Sequence, residues 1–101
     1  MGKNMKVIDL TKKLISIPSY VGDDCDEQKI GEFIYQYLTQ FGWLTVIKQP
    51  VKDGRFNVIA FDKYPTELLL VGHMDTVQPR TGWSTDPFKA AIKRNKLYGL
   101  G

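Results

Sequence analysis

One histidine and one aspartate stand two positions apart, directly after a short aliphatic run. His73 and Asp75 follow Leu68 to Gly72, a segment whose uniform apolar content predicts a strand buried on both faces. Open α/β sheets place ligand and catalytic groups just past the carboxyl ends of their strands. Imidazole is a good zinc ligand, and a carboxylate that accepts its other N–H fixes the tautomer. The pair therefore indicates a metal ligand with an orienting partner.

The spacing of this pair is by itself a weak signal. Residues at i and i+2 of an extended chain point to the same side, but sharing one hydrogen bond requires a local turn between His73 and Asp75. A lone histidine before a polar loop is more often structural than metal-binding. A metal site at His73 therefore needs support from the surrounding elements and motifs.

Two amphipathic helices are predicted before the aliphatic run. The first has apolar residues at helical spacing from Val7 to Ile17, with Asn4 as its cap, and it stops at Pro18. The second follows an acidic segment that suits a helix start, comprising Asp23, Asp24, Asp26 and Glu27. Its apolar stripe runs from Ile30 to Phe41, and Gly42 is predicted as its C-terminal cap.

The β-forming residues lie around turn sequences. Trp43 to Gln49 and Phe56 to Phe61 flank Lys52-Asp53-Gly54-Arg55, which predicts a hairpin. Gln78 to Lys89 is rich in Pro, Gly and Thr and is expected to form a loop. A last hairpin, comprising Lys89 to Ile92 and Leu97 to Tyr98, is predicted across Arg94-Asn95-Lys96.

Longer motifs around His73 carry a family resemblance. They are Leu69-Leu70-Val71-Gly72-His73-Met74-Asp75-Thr76-Val77, then Pro79, Trp83 and Asp86-Pro87-Phe88, and finally Lys96-Leu97-Tyr98-Gly99-Leu100-Gly101. Upstream, they include Ile17-Pro18-Ser19 with Glu27, and Asn57-Val58-Ile59-Ala60. With these motifs the chain resembles the zinc amidohydrolase family of acetylornithine deacetylase, succinyl-diaminopimelate desuccinylase and the related glutamate carboxypeptidases and aminoacylases.

The resemblance implies a fold and a chemistry. Residues 1–101 would be the N-terminal portion of a three-layer α/β/α catalytic domain with a mixed sheet, incomplete in this chain. Members of the family hydrolyse an amide bond with two zinc ions, for which cobalt is a possible substitute. His73 matches a ligand of one zinc, and Asp75 matches the catalytic aspartate that orients it. The implied substrates are small N-acyl amino acids or peptides, and the resemblance is compatible with a homodimer of the full-length protein.

One histidine is too few for such a centre, because zinc catalytic sites need about three protein ligands each. Asp86 and Glu67 match no ligand position of the family. We therefore expect the 101 residues alone to be inactive and their sheet to have edges and apolar faces prone to association. The alternative is a non-catalytic binding or assembly module that a partner chain completes.

Composition excludes several other classes of protein. The net charge of +3 arises in the second half of the chain, where eight basic residues face five acidic ones, and these do not form a nucleic-acid footprint. The longest aliphatic run, Leu68 to Val71, is too short to cross a bilayer, and no secretory signal is visible. Cys25 has no disulfide partner within the chain, which fits a reducing compartment. We expect a cytoplasmic protein that binds neither nucleic acid nor membrane.

Overall fold

Both predicted helices form, and each ends two residues before its apolar pattern does. The computed structural model describes residues 5–101, in which α1 spans Val7–Ile15 and α2 spans Gln28–Thr39. The Asn4 cap predicted for α1 lies outside the described residues. The Gly42 cap predicted for α2 is wrong, because the helix ends at Thr39 and the Gln40 N–H closes the last turn on the Tyr37 carbonyl.

One residue of the acidic segment, Asp26, stabilises the start of α2. One Asp26 carboxylate oxygen accepts the backbone N–H of Gln28 at 2.9 Å, and the other accepts the Gln28 side-chain amide at 2.8 Å. Both hydrogen bonds favour the ionised form and hold the pKa of Asp26 below its ordinary value of 3.8. The first also satisfies one of the free N–H groups at the helix start.

The central hairpin is confirmed. Strands β1 (Thr45–Lys52) and β2 (Arg55–Phe61) pair antiparallel, with Ile47 opposite Ile59. The two turn residues, Asp53 and Gly54, have φ of 49° and 79°, the left-handed pair that matches the twist of a two-residue hairpin.

Helix α2 packs across this hairpin. A Cβ added at Gly31 would lie 3.1 Å from the Phe56 ring, so the missing side chain allows helix and strand to approach closely. Beside it, the Lys48 ammonium lies 4.7 Å and 4.9 Å from the ring centroids of Tyr35 and Phe56, and it also pairs with Glu32. The cation thus joins the strand to the helix through two aromatic faces and a carboxylate.

The last hairpin is also confirmed, and the segment before it is a loop as predicted. Strands β3 (Ala91–Lys93) and β4 (Lys96–Tyr98) pair antiparallel around Arg94 and Asn95, which have φ of 50° and 61°. After β4, the Leu100 N–H donates to the Pro87 carbonyl at 2.8 Å. This bond holds the chain after the hairpin against the loop that precedes it.

The buried strand predicted at Leu68 to Gly72 is wrong. The structure assigns no strand to this segment, and the exposed fractions from Leu68 to Val71 are 75–85%. A strand in the middle of a sheet is buried by neighbours on both sides, and the described residues pair none with this segment. The described sheets are two separate antiparallel pairs, so the three-layer mixed sheet stays a prediction.

Much apolar surface is therefore uncovered. The accessible surface is 8174 Å², against about 5,800 Å² for a compact monomer of this mass. Among residues 5–101 one apolar residue is buried, Ile30 at 7% exposure, and no large side chain is fully buried. Helices and strands are consistent with a partial α/β domain, and none of the described helices is long and apolar enough to span a membrane.

Gly31→Leu should destabilise the chain by about 1–3 kcal/mol, because the new side chain would collide with the Phe56 ring. Chemical denaturation followed by far-UV circular dichroism measures this loss. Gly42→Leu is the matched control, since no atom lies within 4 Å of a Cβ added there. Equal effects of the two substitutions would contradict the packing described for α2.

The free energy of unfolding should fall as the pH drops below about 4. The folded pKa of Asp26 lies below the unfolded value, so its contribution is complete above the unfolded pKa and is lost as the pH falls through the folded one. Chemical denaturation at pH 3 and pH 5, about one unit below and one unit above the ordinary aspartate pKa, measures this change in the free energy of unfolding. Asp26→Asn keeps a cap acceptor that does not titrate, so its acid loss should be smaller than that of the wild type, and an equal loss would contradict the role of Asp26.

Candidate functional site

His73 and Asp75 lie at one end of a groove beside β2. The groove has a volume of about 470 Å³. One side is formed by consecutive residues of β2, from Arg55 to Ala60, and the other by the exposed segment from Leu69 to Asp75. Glu27, just before α2, lies at the same groove. Three separate elements therefore bring charged or metal-binding side chains to one opening.

The structure brings the two predicted site residues together. The Nδ1 atom of His73 lies 2.8 Å from the backbone carbonyl oxygen of Asp75 and 3.3 Å from its Oδ1 atom. The shorter contact is the hydrogen bond, and the carboxylate provides a second, longer contact. The local bend required for residues at i and i+2 is thus present, although it occurs outside any strand.

This geometry decides which ring nitrogen of His73 is free. A carbonyl oxygen only accepts hydrogen bonds, so the Nδ1 atom of a neutral His73 must be the protonated one. Nε2 then has an unshared electron pair, which is the form in which imidazole binds a metal ion. The His73 side chain is 84% exposed, so that nitrogen is accessible.

The segment after His73 is tied to the chain between the two helices. Tyr20 and Thr76 form an isolated parallel bridge, in which the Thr76 N–H donates to the buried Ser19 carbonyl at 3.2 Å. Two positions on, the Gln78 amide reaches the Val21 carbonyl at 3.5 Å. These contacts fix the exit of the segment, while its approach from Leu68 to Val71 is exposed.

A second cavity shares His73, Met74 and Asp75 with this groove. It has a volume of about 330 Å³ and a mainly apolar lining. Leu14 and Ile15 of α1 and Ile30 and Ile34 of α2 contribute, together with the segment from His73 to Thr76. The candidate ligand therefore lines both an apolar space beside the helices and a charged groove beside β2.

The charged groove contains an ion pair that sequence reasoning missed. The Arg55 Nε–H donates to the Glu27 Oε1 atom at 2.7 Å. Glu27 is buried, and its hydrogen bond and charge raise the pKa of Arg55, with smaller contributions from Asp26 and then Asp75. Charge spacing along the chain could not reveal this pair, because its members come from the start of α2 and the start of β2.

The described residues fit one metal ligand and its orienting partner, and no complete metal centre. Within residues 5–101, no group of three or more histidine, cysteine, aspartate or glutamate side chains could hold a metal ion. Asp86 instead accepts the Phe88 N–H at 2.9 Å in a local turn. Burial raises the pKa of the Cys25 thiol, reinforced by Asp24 and Asp26, which disfavours its thiolate form.

Comparison with curated proteins gives the same family along nearly the whole chain. The chain is 39% identical over 99 residues to succinyl-diaminopimelate desuccinylase of a Nitratiruptor species, covering 96% of the chain and 25% of that relative. It is 38% identical over 103 residues to acetylornithine deacetylase of Photorhabdus laumondii subsp. laumondii, covering 93% and 26%. The chain matches an N-terminal fragment of this desuccinylase and deacetylase family.

The match to the desuccinylase and deacetylase family is a match to part of each relative. A third relative, succinyl-diaminopimelate desuccinylase of Helicobacter pylori, is 32% identical over 110 residues, which cover 96% of the chain and 28% of the relative. The chain thus spans about a quarter of the length of the curated relatives it matches. No protein-family model matches it. No solved structure matches it either.

The neutral ring of His73 should be protonated at Nδ1. Because His73 is the one histidine of the chain, its ring nitrogens give unambiguous ¹⁵N signals. Spectra at a pH of about 8.5, well above the ordinary histidine pKa, distinguish the two tautomers. A dominant Nε2–H form would contradict the hydrogen bond from Nδ1 to the Asp75 carbonyl.

Proposed function

We propose that this chain forms the N-terminal part of a zinc-dependent amidohydrolase of the deacetylase, desuccinylase or carboxypeptidase type. His73 is its metal ligand, and Asp75 orients the His73 ring. The observation that carries the proposal is the hydrogen bond that leaves Nε2 of His73 free, in a chain that matches desuccinylases and deacetylases over 93–96% of its length.

The chain's own residues position the metal ligand, His73, and the hydrolysis itself depends on other groups. Zinc, when bound, supplies Lewis-acid polarisation of the scissile carbonyl. The Asp75 carbonyl and carboxylate hold Nδ1 of His73, so that Nε2 faces outward with its electron pair. Since the described residues contain no set of three ligands, hydrolysis requires further ligands and a proton-transfer group from elsewhere.

The substrate proposal follows the names of the relatives. Succinyl-diaminopimelate and acetylornithine are both small N-acyl amino acids, so we propose this class, or short peptides, as substrates of the complete protein. Two zinc ions, replaceable by cobalt, and a homodimer belong to the same proposal.

A binding or assembly module completed by a partner chain is the second candidate. The exposed run from Leu68 to Val71 favours it, because an extended apolar segment beside an unpaired strand edge suits pairing with another polypeptide. If the chain is such a module, His73→Ala would leave its pairing with the partner chain intact, and no hydrolysis would depend on His73.

The hydrolase proposal can be tested in a chimera. The matching quarter of the Nitratiruptor desuccinylase would be replaced by this chain, and hydrolysis of N-succinyl-diaminopimelate and N-acetylornithine would be measured with added zinc. His73→Ala should remove a metal ligand and lower both zinc content and kcat/KM by at least about 100-fold. Asp75→Asn, which removes an orienting partner, should cost about 10–100-fold.

Glu67→Gln is the matched control. It removes a carboxylate close in sequence to the His73 segment, and Glu67 matches no ligand position of the family. It should retain the chimera's activity and zinc content. Turnover by a chimera carrying His73→Ala at the level of the unsubstituted chimera would refute the proposed role of His73. Zinc-dependent turnover by the 101-residue chain alone would refute the requirement for further ligands.

A further inference from the structure

One peptide group, that between Asp75 and Thr76, joins the candidate metal ligand to the buried chain between the two helices. Its carbonyl oxygen lies 2.8 Å from the Nδ1 atom of His73, and its N–H donates to the Ser19 carbonyl at 3.2 Å. Because a peptide group is planar, both hydrogen bonds act on the same rigid unit. The bond that holds its N–H therefore also directs its carbonyl at the His73 ring.

The Ser19 end of this connection is the fixed one. Ser19 is 2% exposed, and the residue before it, Pro18, has a ring that restricts its backbone. The residue after it is also in contact, because the ring centroid of Tyr20 lies 6.1 Å from that of Phe88. At the other end, the His73 side chain is 84% exposed. The buried segment therefore sets the position of the peptide group, and the exposed ring follows.

The Asp75 carboxylate makes the weaker of the two contacts to Nδ1 of His73. Its Oδ1 atom lies 3.3 Å from that nitrogen, beyond the usual hydrogen-bond range of roughly 2.7–3.2 Å, whereas the carbonyl oxygen at 2.8 Å lies within it. The Asp75 side chain is also 51% exposed, so water competes for its oxygens. The main chain is therefore the stronger determinant of which His73 nitrogen has the proton.

Polarisation strengthens the bond from His73 to this peptide group. Hydrogen bonds in a chain reinforce one another, because a peptide group that donates its N–H has a more negative carbonyl oxygen. Here the chain runs from Nδ1–H of His73 through the peptide group to the Ser19 carbonyl. Loss of the bond to Ser19 would both free the peptide plane and weaken its oxygen as an acceptor.

We propose that Ser19 is a positioning residue whose main-chain carbonyl holds the peptide group between Asp75 and Thr76, and that this group, rather than the Asp75 carboxylate, sets the tautomer of the His73 ring. The catalytic meaning of this role rests on the proposed function, in which Nε2 of His73 binds zinc. The arrangement itself needs no metal. The Asp75 carboxylate acts on the ring as a neighbouring negative charge, and the segment between α1 and α2 supports the metal ligand.

The test uses the 101-residue chain without metal and reads the ¹⁵N signals of the single histidine at a pH of about 8.5. Thr76→Pro removes the N–H that donates to Ser19 and keeps the Asp75 carbonyl. It should lower the ratio of the Nδ1–H to the Nε2–H tautomer by about twofold to fivefold, the effect of weakening one hydrogen bond. Asp75→Ala removes the carboxylate and keeps the peptide group, so it should change the ratio by less than about twofold.

Val77→Pro is the matched control. It places the same ring one position later, where the backbone N–H has no backbone acceptor among residues 5–101, so it should leave the tautomer ratio unchanged. An equal fall in Val77→Pro would show a general effect of proline in this segment and overturn the proposal. So would an unchanged ratio in Thr76→Pro, or a fall in Asp75→Ala as large as that in Thr76→Pro.

An ester bond removes the same N–H without a proline ring. The hydroxy-acid analogue of threonine, placed at position 76 by chemical ligation, should lower the ratio as Thr76→Pro does, and the valine analogue at position 77 should leave it unchanged. This pair decides by the same criterion if Thr76→Pro loses its amide dispersion.

A double-mutant cycle separates the main chain from the carboxylate. In an Asp75→Ala background, Thr76→Pro should lower the ratio by the same factor as in the wild type, because the peptide group acts without the carboxylate. Loss of the effect in that background would overturn the proposal. Zinc titration of the wild-type chain is a separate measurement, so failure of His73 as a metal ligand and failure of Ser19 as a positioning residue give different results.

Discussion

The contact between α2 and the β1–β2 hairpin determines where the charged groups of the site lie. The bare backbone of Gly31 lets the helix approach Phe56, and the Lys48 ammonium between two aromatic rings joins strand to helix on the same side. With helix and strand in this relation, Glu27 at the helix start meets Arg55 at the strand start. A change in the helix–hairpin packing would therefore move the groove that contains His73.

Local sequence signals predicted the elements that depend on local chemistry. Helical periodicity located both helices, and Gly54 marked a hairpin turn that needs a left-handed backbone. The helix ends were less predictable, because Gly42 resembles a cap but Gln40 closes the last turn of α2 first. Residue type and spacing also identified His73 and Asp75 as a pair, and the structure brings them together.

Features that depend on neighbours from distant parts of the chain could not be predicted from the sequence. The run from Leu68 to Val71 has the composition of a buried strand, but burial requires flanking strands that the described residues do not provide. The pair formed by Glu27 and Arg55 joins residues 28 positions apart in two different elements. Neither periodicity nor charge spacing encodes such a contact, so the groove emerges only from the assembled fold.

The bridge between Tyr20 and Thr76 has a kinetic consequence. Helices and two-residue hairpins form within microseconds from neighbouring residues. The contact between Val21 and Gln78 instead joins residues 57 positions apart, so forming it costs loop-closure entropy that the local elements do not require. The His73 segment therefore reaches its place late in folding and opens early in local unfolding, so its amides should be among those that exchange fastest with solvent.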